Sequence, residues 1–189
     1  GPWSHKYPHV GEPGPAIGWL QECRRWWDRW LKDEPNGVMD GPMLRAFMQD
    51  SVPPNTYYQG RPGRWVGEDA WPAENIRTRE YALKPLHLLP DGEGGDESLN
   101  IESPLRTGLF AGKWCSYSAP PDLPSDQRDD DGGALTFDTE KLTEPLEILG
   151  SPEVELDVEV DRPVAMIAVR LSDVRPEGSI TRSTYGLLN

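Results

Sequence analysis

The sequence predicts a mixed fold: a short α/β stretch, residues 1–72, followed by an all-β sandwich, residues 73–189. Three observations predict it. An amphipathic helical stretch at 15–32 is followed at short range by an apolar strand-like run at 42–50. From Ala134 to Leu188 the chain is a succession of short strand-like runs separated by turn residues. The composition, 36% hydrophobic with 19 Gly and 20 Pro, suits a loop-rich β chain better than a helical bundle.

The first element is a loop, Gly-Pro-Trp-Ser-His-Lys-Tyr-Pro-His, holding two of the three histidines, His5 and His9. Gly1, Pro2 and Pro8 oppose regular structure, and Trp3 supplies a bulky anchor. Histidine exchanges protons in the physiological range, so an imidazole on such a loop is a candidate acid–base group. The plain alternative is a polar loop residue. The helix follows, with Pro15 suited to its first turn and Pro35-Asn36-Gly37 stopping it. Trp19, Trp26, Trp27 and Trp30 fall on one half of the helical wheel, with Glu22, Arg25, Asp28 and Arg29 on the other. Four tryptophans on one face read as a packing face on a sheet rather than a ligand box. Arg24, Asp28 and Lys32 have i,i+4 spacing and can pair. The run from Pro42 to Asp50 is almost continuously apolar, as in a strand covered on both faces of a parallel sheet. Residues 53–72, broken by Pro53-Pro54, Gly60, Pro62-Gly63 and Pro72, read as a connector, in which Arg61, Arg64 and Trp65 form either a cation–π contact or a solvated rim.

In the second part, Thr78 to Leu83 is a strand candidate. Residues 91–96 are a Gly-rich surface turn rather than a phosphate cradle, because Glu93 and Asp96 would repel phosphate. Residues 102–133 carry few regular signals. Within them Gln127, Asp129, Asp131, Gly132 and Asp138 fall at the offsets of a calcium loop, but Gln at the first position and Asp at the last break the pattern. A solvated acidic loop is expected there. Ala134–Asp138 and Leu146–Leu149 are short strands. Residues 152–160 alternate Val154, Leu156, Val158 and Val160 with acids, so one face meets a core and the other water. Residues 163–171 are apolar almost throughout and are expected to pair antiparallel with 152–160 across Asp161-Arg162-Pro163. Residues 173–179 form the next turn and 180–188 the last strand.

The formal net charge is −13. An acidic surface repels phosphate backbones and anionic lipid, so nucleic acid and membrane are poor partners. No apolar run approaches the ~20 residues of a membrane span. Cys23 and Cys115 make no metal pattern and are expected to be idle thiols, in a cytoplasmic protein by default.

Several segments, in order, carry a likeness. They are Gly1-Pro-Trp-Ser-His5, Trp26-Trp-Asp-Arg-Trp-Leu-Lys32, Arg64-Trp65, Trp71-Pro72, Gly112-Lys-Trp-Cys115, Asp126-Gln-Arg128, Leu135-Thr-Phe137, Leu146-Glu-Ile-Leu-Gly150 and Val169-Arg-Leu-Ser-Asp-Val174. Together they resemble the CocE/NonD family of serine hydrolases, the cocaine esterase and X-Pro dipeptidyl-peptidase type. The resemblance implies the tail of an α/β-hydrolase domain (His loop, amphipathic helix and strand) followed by a galactose-binding-like jelly-roll sandwich that is incomplete here. It makes His5 the triad base and gives His9 no role. It implies acyl transfer to water from a small-molecule or short-peptide ester or amide, with no metal or organic cofactor, and leaves a homo-oligomer open.

In α/β-hydrolases the triad runs Ser, then Asp or Glu, then His, so the nucleophile and acid would precede residue 1. No Gly-x-Ser-x-Gly elbow occurs in the 189 residues, and Ser4 has none around it. The chain is therefore expected to be a fragment that is inert by itself. The competing reading is a non-catalytic carbohydrate-binding or packing sandwich, with Trp65, Trp71 and Trp114 stacking on sugar rings.

Overall fold

The computed structural model describes residues 1–92 and 97–189. The acidic turn expected at 91–96 lies, from Glu93 to Asp96, outside the described residues. The architecture is mostly β, in three small sheets, with one substantial helix.

The helix, α1, spans Trp19–Lys32, four residues shorter at its start than the periodicity predicts, with Gly18 as its N-cap. It ends at Asp33, whose left-handed conformation (φ 57°) lets its N–H reach the Asp28 carbonyl. Asp28, expected on the exposed half, is instead the buried residue of α1, held by Arg24 Nε at 3.2 Å and Lys32 Nζ at 2.6 Å. The tryptophan face is not packed on a sheet of this chain: Trp27 and Trp30 are more than half exposed, and Trp26 and Trp30 lean on each other at 5.8 Å.

The reason lies in the next element. β1, Leu44–Gln49, is not the central strand of a parallel sheet beneath α1. It pairs antiparallel with β2, Gly63–Glu68, setting Phe47 opposite Trp65. The connector expected at 53–72 thus contains a strand. Gly63 opens it: a Cβ there would lie 2.1 Å from the Met48 carbonyl oxygen, and φ is +150°.

β3, Tyr81–Lys84, and β4, Leu86–Pro90, form an antiparallel pair to which the two-residue β5, Phe137–Asp138, adds in parallel. β6, Ile167–Val174, and β7, Ile180–Leu188, form the longest ladder, with a bulge at Leu171/Ser172 and a turn in which Gly178 takes φ +86°. Two expected strands, 146–149 and 152–160, form no ladder; β6 takes β7 as its partner, and the alternating residues 152–160 are exposed on both faces.

A folded monomer of this length would expose about 9,000 Å². This chain exposes 14,561 Å², and Ala73 and Ala82 are the buried hydrophobic residues. Its apolar faces are therefore largely uncovered.

What is buried is polar. The short helix α2, Arg128–Asp131, and the residue before it do not form a solvated acidic loop. Gln127 is fully buried. Its amide nitrogen donates to the carbonyls of Phe110 and Ser125, and its oxygen accepts from Arg170. Arg170, arriving on β6, also donates to Asp131 at 2.7 Å, while Asp130 caps the Gly108 N–H at 2.8 Å. Burial holds the Asp131 carboxyl above the usual carboxylate range, a shift that Arg170 offsets only in part. Buried polar groups cost stability unless each is partnered, so this knot depends on Arg170. Arg170→Leu is expected to cost about 3 kcal/mol, read as a lower urea midpoint. An unchanged midpoint would show that the knot contributes nothing.

Candidate active-site loop

The first residues are fixed from both sides. The Trp3 indole donates Nε1–H to the Pro15 carbonyl at 2.7 Å and packs 6.2 Å from Trp65, centroid to centroid. It also covers Gly11, where a Cβ would fall 2.2 Å from the indole. Trp3 is thus the anchor that the sequence suggests. Ser4 donates N–H (2.9 Å) and Oγ–H (2.6 Å) to the Glu12 carbonyl, and its hydroxyl meets that of Ser118 at 2.5 Å. That hydroxyl is engaged in fixing the loop.

His5 is exposed. Its N–H donates to the Ser116 carbonyl at 2.7 Å, and its ring lies edge-on to Tyr117, centroids 5.1 Å apart. His9 sits in a 3-10 turn, Pro8–Val10, and stacks on Tyr7 at 5.9 Å. The third histidine, His87, is on β4.

The segment beneath His5 is organised by Asp122, which is 1% exposed. One carboxylate oxygen accepts from Ser116 Oγ (2.8 Å), Tyr117 N–H (2.8 Å) and Ala119 N–H (3.0 Å). The other carboxylate oxygen is buried with no partner. The Asp122 backbone is tied as well, its N–H to Thr56 and its carbonyl from Lys113 N–H. Burial pushes this carboxyl up, but the hydrogen bonds from Ala119, Ser116 and Tyr117 outweigh it and leave it below the usual carboxylate range. Gly112, at φ +73°, admits the close pass: a Cβ there would meet the Leu123 carbonyl carbon at 2.6 Å. Sequence reasoning missed Asp122. The available signal was local, an Asp just after Ser118-Ala-Pro-Pro121, the composition of a side-chain-held turn.

The other singled-out residues are dispersed. Trp65 is engaged with Trp3 and Phe47, and Trp114 with Tyr185. Arg64 pairs with Glu147, so the cation–π contact of the connector belongs to Arg61 over Tyr58 at 4.7 Å, not to Trp65. Cys23 and Cys115 are free thiols. Among the described residues no three His, Cys, Asp or Glu side chains are grouped to hold a metal, and no helix is long and apolar enough to cross a membrane.

Residues 36–189 match the family of the X-Pro dipeptidyl-peptidase C-terminal non-catalytic domain. The chain belongs to this family. The matched stretch of the X-Pro dipeptidyl-peptidase C-terminal domain takes in β1 to β7 and Asp122, and the His5 loop and α1 precede it. Two mycobacterial proteins, one from Mycobacterium bovis and one from Mycobacterium tuberculosis, each carried under the provisional name of serine esterase, are 25% identical to the whole chain over 198 aligned residues. The chain spans 30% of the length of these relatives. No solved structure gives a significant match.

Because the folded Asp122 carboxyl titrates below its unfolded value, its contribution is present above about pH 4 and is lost as pH falls through the folded value. The protection factor of the His5 amide, its exchange rate referred to that of an unstructured peptide at the same pH, is therefore expected to fall as the pH is lowered below about 4. In Asp122→Ala it should fall about tenfold or more at neutral pH. Equal protection in the variant would contradict the bracing role.

Proposed function

We propose that this chain is part of a serine hydrolase and that His5 is its general base. The observation that carries the reading is the state of His5. Its imidazole is exposed on Gly-Pro-Trp-Ser-His and makes no hydrogen bond among the described residues, while its backbone N–H is held by Ser116 and its ring rests edge-on to Tyr117. A base needs this combination: a fixed position and an open nitrogen. The relatives' name points to serine esterase chemistry. The family name points to proline-directed peptidases.

In this reading His5 takes the proton of a serine hydroxyl as that oxygen attacks an ester or amide carbonyl, then passes it to the leaving group. A second cycle with water frees the acid. The serine, the acidic triad member and the oxyanion donors lie in the part of the polypeptide that corresponds to the rest of the relatives' length. That part also covers the open face of α1, whose exposed Trp26, Trp27 and Trp30 would otherwise remain against water. The substrate is a small-molecule ester or a short-peptide amide, and the β-rich region serves to hold the histidine loop.

The test is made in the full-length protein. His5→Ala is expected to lower kcat/KM on a p-nitrophenyl ester by about 10³-fold or more, with the melting temperature unchanged. Labelling of the nucleophile by a fluorophosphonate probe should slow in parallel. Turnover at the unaltered rate in that variant would end the assignment.

A further inference from the structure

A second site lies away from the histidine loop. A cavity of about 240 Å³ opens between the connector before β2 and the strand β7, and Asn55, Tyr58, Arg61, Arg182, Ser183 and Tyr185 are among its walls. Among the described residues no Asp or Glu lines it, although the chain carries 32 acidic residues.

The arginines set it apart. Six arginines among the described residues are half-buried: Arg25, Arg29, Arg61, Arg170, Arg175 and Arg182. Arg25, Arg29, Arg170 and Arg175 each hold a carboxylate. Arg61 and Arg182 hold none among the described residues, and both line this cavity. Each instead lies over a tyrosine ring, Arg61 over Tyr58 at 4.7 Å and Arg182 over Tyr185 at 4.3 Å. A ring face orients a guanidinium but accepts none of its N–H groups in the plane. Arg61 Nε is buried without a hydrogen-bond partner among the described residues. Asp130 acts on Arg182 only through space: one of its carboxylate oxygens takes the Gly108 N–H, and the other, buried without a hydrogen-bond partner among the described residues, lies 3.8 Å from Arg170.

Partly desolvated guanidinium groups without a counter-ion are costly, and the ligand that best meets their donors is a planar or tetrahedral oxyanion. Hydroxyls from β7 and the Asn55 amide add neutral donors at the wall. We propose that this cavity is an oxyanion-binding site in which Arg61 and Arg182 clasp a phosphate or carboxylate group. The tyrosines pre-orient the two side chains, so little freedom is lost on binding. The site does not depend on the role given to His5.

The test is calorimetric titration of the full-length protein with inorganic phosphate and, separately, with acetate, at constant ionic strength. Saturable one-site binding of either anion is expected, and the stronger of the two identifies the ligand class. Arg61→Gln and Arg182→Gln should each weaken it about tenfold or more. Arg162→Gln, at an exposed position outside the cavity, should leave it unchanged. As a check free of substitution, the preferred anion should raise the melting temperature of the unaltered protein above that in sodium chloride of equal ionic strength. Binding of neither anion, or equal affinity in the Arg61→Gln and Arg182→Gln variants, would overturn the proposal.

Discussion

One carboxylate, that of Asp122, carries the organisation around the histidine loop. It gathers Ser116, Tyr117 and Ala119 into a turn, and that turn holds the backbone and ring of His5 and the hydroxyl of Ser4. The link runs over more than a hundred residues of sequence, so the first residues and the β-rich remainder are bound into one unit at this point. A buried ion accepting three hydrogen bonds is stiff as well as favourable, because any shift of the turn leaves charge unsolvated. The same device recurs at Gln127, Asp131 and Arg170, where β6 is fastened to α2.

Such polar fastening matters because apolar burial is scarce. The hydrophobic effect scales with area removed from water, and here the large side chains of α1 and of residues 154–160 remain in contact with it. The faces that lack cover are those the sequence marks as buried: the tryptophan stripe of α1 and the valine row at 154, 156, 158 and 160. Pattern and exposure together mark these as faces suited to packing, and the aligned relatives are more than three times as long as this chain.

Local periodicity made parts of the fold legible. The α1 stripe, the β6–β7 turn and the final strand could all be read from spacing and from Gly178 or Pro176. β2 was hidden because Gly60 and Pro62-Gly63 look like punctuation, whereas Gly63 in fact lets the strand close on Met48. The 152–160 alternation is genuine, but alternation specifies a strand's faces without supplying its partner. At the site, His5 could be singled out from its motif. Its brace could not, since Ser116 and Asp122 lie in a stretch without periodicity and meet the loop only through long-range contacts. The acidic run at 126–131 was misread for the same reason: its neutralising Arg170 arrives some forty residues later. Arg61 and Arg182, 121 positions apart, were equally invisible as a pair.

The most direct measurement of the central claim is a crystal structure of the full-length protein with a phosphonate inhibitor bound. An imidazole nitrogen of His5 within ~3 Å of the modified serine oxygen is expected, with the His5 N–H still on the Ser116 carbonyl. A phosphonylated serine served by a different histidine, with His5 facing bulk solvent, would contradict it.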